Sequence, residues 1–136
     1  MAAWHEVSAE RIDLSVRPFV LPFSRGLKRF AVGGVVATAG TVGLRAVLVS
    51  LRLVDASGET VVEERVGSAL RSAKVFLSAD PRIGFYRYLP SQEGVSEFEE
   101  MFTLPDGVLC AGLEVRKFGG SDGVVCLELL AVQILQ

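Results

Sequence analysis

The chain has 136 residues, of which 50 % are hydrophobic and 14 are glycine, with a formal net charge of −2. That length fits one domain, expected over residues 1–136 with 1–8 flexible, and a pI near 5.4 argues against a nucleic-acid binder, which needs a net basic field. A mean hydropathy of +0.42 is more apolar surface than so small a domain hides easily, so a homo-oligomer or docking onto a companion protein is expected.

Residues 11–17 alternate cleanly, with Ile12, Leu14 and Val16 on one side, which predicts a half-buried strand. Pro18 and Pro22 bracket Phe19-Val20-Leu21, an edge or crossover segment, because proline cannot donate to a ladder. Residues 27–39 form a second strand, broken at Gly33-Gly34 by a bulge or bend. Gly40-Thr41 reads as a turn. Residues 44–54 are the strongest strand, with Val47, Val49, Leu51 and Leu53 on one face and Ala46, Leu48, Ser50 and Arg52 on the other. The apolar run over 30–51 mimics a membrane span, but Arg45 and four glycines interrupt it, so no membrane association is expected.

Asp55-Ala56-Ser57-Gly58 is a turn signal, and residues 59–66 are expected to return as the second arm of a hairpin. A helix over 62–70 suits the composition, yet Val61-Val62 and Val66-Gly67 lean against it. Further strands are expected at 72–79 and, after a loop at 80–84, at 85–89. Residues 90–94 form another loop. Three strands, 98–104, 108–117 and 123–135, close the chain, joined by Pro105-Asp106-Gly107 and Gly119-Gly120-Ser121-Asp122, the last two as a hairpin. The sum is an all-β, antiparallel, jelly-roll-like sandwich of eight or nine strands with under about a tenth of its residues helical.

The closing strand looks apolar on both sides. Val124, Cys126, Leu130, Val132 and Ile134 oppose Val125, Leu127, Leu129 and Ala131. In the expected terminal hairpin Cys110 faces position 131 and Cys126 position 115, too far apart for a disulfide. Two reduced thiols, and a start without a basic segment followed by an apolar one, point to the cytoplasm.

Chemical motifs are sparse. His5, the single histidine, stands near the terminus, and the two cysteines cannot close a zinc site. Glu97 and Glu99, or Glu114 and Glu128, are the carboxylate pairs a glycosidase would use, but a solvated charged face is the expected reading of them. No catalytic residue, metal or cofactor is expected. The best binding segment is Phe85-Tyr86-Arg87-Tyr88, where Tyr86 and Tyr88 share a strand face opposite Phe85 and Arg87. An exposed tyrosine ring bordering a groove offers a surface for the C–H face of a sugar, and loop residues Asp80 and Arg82 offer partners for its hydroxyls.

The strand leading into Asp55-Ala56-Ser57-Gly58, the segment Phe102-Thr103-Leu104-Pro105-Asp106-Gly107, and the terminal Val125-Cys126-Leu127-Glu128-Leu129-Leu130-Ala131-Val132 follow one another over about residues 44–135. This pattern resembles the jelly-roll sandwiches of the galactose-binding-like and carbohydrate-binding-module group. The resemblance implies a non-catalytic module that binds a carbohydrate or other small ligand, in the service of a sugar-active enzyme. Members of the group often display aromatic side chains, and some hold a structural calcium. The other reading is a structural module that assembles through its apolar faces and takes no small ligand.

Overall fold

The computed structural model describes residues 4–8, 10–39, 47–61, 63–89, 94–118 and 123–135. The expected turn at Gly40-Thr41, most of the loop at 90–94 and the Gly119-Gly120-Ser121-Asp122 turn lie outside these residues. Within them the elements run β1 (Trp4–Ser8), β2 (Ile12–Asp13), β3 (Phe19–Leu27), β4 (Arg29–Ala39), β5 (Val47–Val54), α1 (Glu63–Ser72), β6 (Phe76–Leu77), β7 (Phe85–Leu89), β8 (Gly94–Thr103), β9 (Leu109–Lys117) and β10 (Val124–Ile134).

They form two antiparallel five-stranded sheets. Sheet A has the order β1-β10-β4-β8, with β2 also on β10, and sheet B the order β3-β9-β5-β7-β6. The pairs are nested: β1 with β10, β3 with β9, β4 with β8 and β5 with β7. A long antiparallel hairpin rolled on itself gives this pattern, and β10 on β4 with β9 on β5 closes the roll. The expected jelly-roll-like sandwich is therefore the fold. There are ten strands among the described residues, two of them only two residues long, in place of eight or nine.

Alternation fills the space between the sheets. Phe30, Val32 and Val36 of β4, Phe98 and Phe102 of β8, and Val125, Leu127 and Leu130 of β10 point inward from sheet A. Val47, Val49, Leu51 and Leu53 of β5, Phe85 and Leu89 of β7, and Leu113 and Val115 of β9 meet them from sheet B. The Phe30 and Phe102 rings stack with centroids 5.0 Å apart at the centre. Each such fully buried side chain contributes about 1.5–3 kcal/mol relative to exposure.

Several local expectations change. β9 and β10 do not form a hairpin; they lie in different sheets, and the chain crosses the sandwich between them. Cys110 and Cys126 are both free and buried, but their separation comes from this crossing and not from a ladder register. The segment 59–66 does not return as a strand. Thr60 makes one bridge to Val54, and α1 follows. The turn before it forms as expected, with Asp55 Oδ1 accepting from the Ser57 and Glu59 amides and Gly58 at φ 87°. Strand 11–17 shrinks to β2 and a turn, leaving Val16 79 % exposed. Strand 72–79 shrinks to β6. Residues 4–8, expected to be flexible, pair with β10.

Gly33-Gly34 does not break β4, which pairs on both sides through these glycines. The irregularity sits opposite, between Leu127 and Leu129 of β10. That bulge shifts the alternation by one, so Leu127, Leu130 and Val132 all face inward while Leu129 faces out. One extra residue resolves a strand that period-two reading makes apolar on both sides.

Candidate functional site

β7 is placed by its pairing with β5 over Leu51–Val47 and by the short β6 on its other side. Phe85, Arg87 and Leu89 turn inward, and Tyr86 and Tyr88 outward. Register partners share a face, so Phe76, Tyr86, Ser50, Glu114 and Val20 make one row across the outer face of sheet B. Tyr88, Leu48 and Arg116 make the next row.

Aromatic rings run along this face. Phe76 lies 6.2 Å from Tyr86, Tyr86 is edge-on to Tyr88 at 5.3 Å, and Tyr88 is edge-on to Phe118 at 5.5 Å. The last two pairs take the edge-to-face geometry aromatic quadrupoles favour, and the Phe76–Tyr86 pair is tilted at 49°. The tyrosines are only partly exposed; the more exposed rings are Phe76 at 42 % and Phe118 at 40 %. The exposed surface expected of the tyrosines is thus supplied largely by two phenylalanines the sequence reading did not select.

Two hollows adjoin the row. One, of about 470 Å³, opens at the β7 edge and is lined by Lys74, Phe76, Tyr86, Arg87, Tyr88 and Glu100. The other is a groove of about 310 Å³ on the sheet B face, floored by Ser50 and Gly112 and walled by Arg52, Arg82 and Glu114. A Cβ at Gly112 would crowd this floor, standing 3.0 Å from the Leu21 carbonyl oxygen of β3. β9 carries its own bulge here, with Arg52 opposite Gly112 but Leu53 opposite Cys110. Bulges commonly re-aim side chains beside functional sites.

The five expected residues divide between the hollows. Tyr86, Tyr88 and Arg87 line the edge hollow, but Arg87 enters it from the interior. It is 7 % exposed, its guanidinium carbon sits 4.0 Å over the Phe102 ring, and it pairs with Glu100 at 3.5 Å. It donates to the carbonyls of Ala73, Lys74 and Met101. Burial pulls this guanidinium below the usual arginine range, and Glu100 pushes it back part of the way. With its donors committed to backbone carbonyls, Arg87 is a brace joining α1, β7 and β8.

Arg82 lines the face groove, and Asp80 holds it there through paired hydrogen bonds of 2.9 and 3.1 Å. The Arg82 side chain and amide draw the Asp80 carboxyl below its usual range. Arg116 pairs with Glu114 and donates to the Arg82 carbonyl at 3.2 Å, tying β9 to the loop. Ser50 is 6 % exposed, and its Oγ has no partner among the described residues; the same is true of the buried Arg116 Nε. An unpartnered buried polar atom costs about 1–3 kcal/mol. Ser50, Arg52 and Arg116 escaped sequence selection, and Glu114 entered it only as half of a carboxylate pair with Glu128. The one available signal was the partly polar face of residues 44–54, and only topology shows that β7 and β9 flank it.

Cys110 is buried and donates to the Gly112 carbonyl, and burial pushes its thiol up to about 12. Among the described residues no three His, Cys, Asp or Glu side chains gather as metal ligands, and no helix is long and apolar enough to cross a membrane. No protein-family model matches this chain, and no curated protein matches it.

Proposed function

We propose that this chain is a non-catalytic jelly-roll module that binds a carbohydrate or similar small polar ligand on the outer face of sheet B, as in the galactose-binding-like group that its strand pattern resembles. The carrying observation is the Phe76–Tyr86–Tyr88–Phe118 row beside a groove whose Ser50 hydroxyl has no partner among the described residues. The rings offer an apolar surface to C–H faces, and the polar row offers partners to hydroxyls. The test is a glycan array probed with wild type and with the double variant Tyr86→Ala, Tyr88→Ala. Binding by wild type and its loss of at least tenfold in the variant, with the fold retained by circular dichroism, is the expected result. Equal binding by both proteins places the ligand elsewhere, and no binding by wild type rejects the reading.

A second reading has its own observation. Trp4, Val95, Met101 and Val124 are exposed on the outer face of sheet A, around partly buried Val35 and Leu129. This supports self-assembly through that face, which leaves sheet B free for ligand.

A further inference from the structure

The face groove of sheet B has a donor excess. Arg52 is exposed and has no ion-pair partner among the described residues. Ser50 Oγ is buried without a partner among the described residues, while the Glu114 carboxylate is already engaged by Arg116 of the neighbouring row. Asp80 is likewise engaged by Arg82. Three arginines therefore share two carboxylates, and both carboxylates are occupied. A neutral sugar hydroxyl can satisfy one such donor but leaves the unmatched positive charge. An oxyanion satisfies both, because a guanidinium presents parallel N–H groups to two of its oxygens.

We infer that this groove binds an anionic group of the ligand, a carboxylate or sulfate carried by an acidic glycan, with Arg52 as its charge partner and Ser50 as a hydrogen-bond donor. The inference rests on the binding reading above and narrows its ligand class. The Arg52 side chain reaches solvent at the rim, so it can meet a ligand without rearrangement of the core. The aromatic row begins one strand away, at Tyr86 beside Ser50, so one sugar ring can stack while the acidic group of the same or the next residue enters the groove.

The experiment uses an array of neutral glycans alongside uronate-, sulfate- and sialate-bearing ones, followed by titration of the best binder at low and high salt. Preference of at least tenfold for acidic glycans, lost in Arg52→Gln and weakened at high salt, is the expected result. The uronate, sulfate and sialate arms identify the anionic group. Neutral glycans bound as tightly as acidic ones overturn the inference and leave the module reading standing. Acidic binding unchanged in Arg52→Gln overturns the assignment to this groove. No glycan bound at all rejects both readings.

Discussion

A side chain at Gly34 has no room. Its Cβ would collide with the carbonyl oxygen of Leu129 and stand 2.9 Å from the Phe98 ring. The bulge of β10 brings that carbonyl inward, so glycine and bulge are two halves of one feature. Gly34→Ala is expected to destabilise the fold by about 2–3 kcal/mol, as overpacking against backbone does. Gly33→Ala meets the Trp4 ring at 3.2 Å, and the ring can slide, so it should cost under about 1 kcal/mol. Urea unfolding of the two variants checks the contrast, and equal midpoints would contradict it. The glycine pair was legible in the sequence as a mark of irregularity. Which strand carries the irregularity was not, because it depends on a carbonyl nearly a hundred residues away. The same limit applies to the site: alternation placed Tyr86 and Tyr88 on one face, but the Ser50 hydroxyl between Glu114 and Tyr86 is a product of register.

The element that sequence reading set aside is α1. Val66 and Gly67 lower its intrinsic helix propensity, yet tertiary contacts stop and hold the helix. Lys74 adopts φ 61°, its amide donates to the Arg71 carbonyl and the Val75 amide to the Leu70 carbonyl. This is a Schellman end with lysine where glycine is usual. Leu70 and Val75 are both 1 % exposed, and Arg87 supplies positive charge to the Ala73 and Lys74 carbonyls at the end of the helix dipole. Removing Arg87 strands these carbonyls and leaves Glu100 without its partner, a loss of about 3–5 kcal/mol for Arg87→Ala. Arg87→Lys should recover less than half of it, since a point charge cannot reproduce the planar fork. Chemical denaturation measures both, and a loss below about 1 kcal/mol in Arg87→Ala would show that the brace is dispensable. Strand order was hidden from sequence for a related reason. Consecutive strands usually neighbour one another, whereas this roll sends β3 to β4, β8 to β9 and β9 to β10 across the sandwich, and local alternation is identical in both cases.

At the scale of the whole molecule, the high apolar content divides into two parts. The rolled topology places β4, β5, β9 and β10 inside their sheets, and their inward side chains, with those of β8, fill the core. Part of what is left lies on the outer face of sheet A, where the β10 bulge turns Leu129 outward near Val35, Val95, Met101 and Trp4, and part on the outer face of sheet B, at Val20, Phe76 and Phe118. Adjacent leucines on β10 therefore have opposite fates, Leu130 fully buried and Leu129 only partly covered. A charge at Leu130 must enter a dry core, which costs more than a domain's net stability of about 5–15 kcal/mol can readily absorb. Leu130→Glu is expected to yield insoluble or unfolded protein. Leu129→Glu should remain folded, with a midpoint close to wild type. If the sheet A face joins two copies, burying of order 800 Å² on each, wild type sediments as a dimer and Leu129→Glu as a monomer. Light scattering coupled to size exclusion separates the outcomes. A wild type that stays monomeric at about 100 μM, where a standard-size interface is saturated, would remove the assembly reading. It would leave the outer face of sheet A an ordinary solvated surface, softened by Glu97 and Glu99 along its β8 edge, where charges guard against strand-to-strand association.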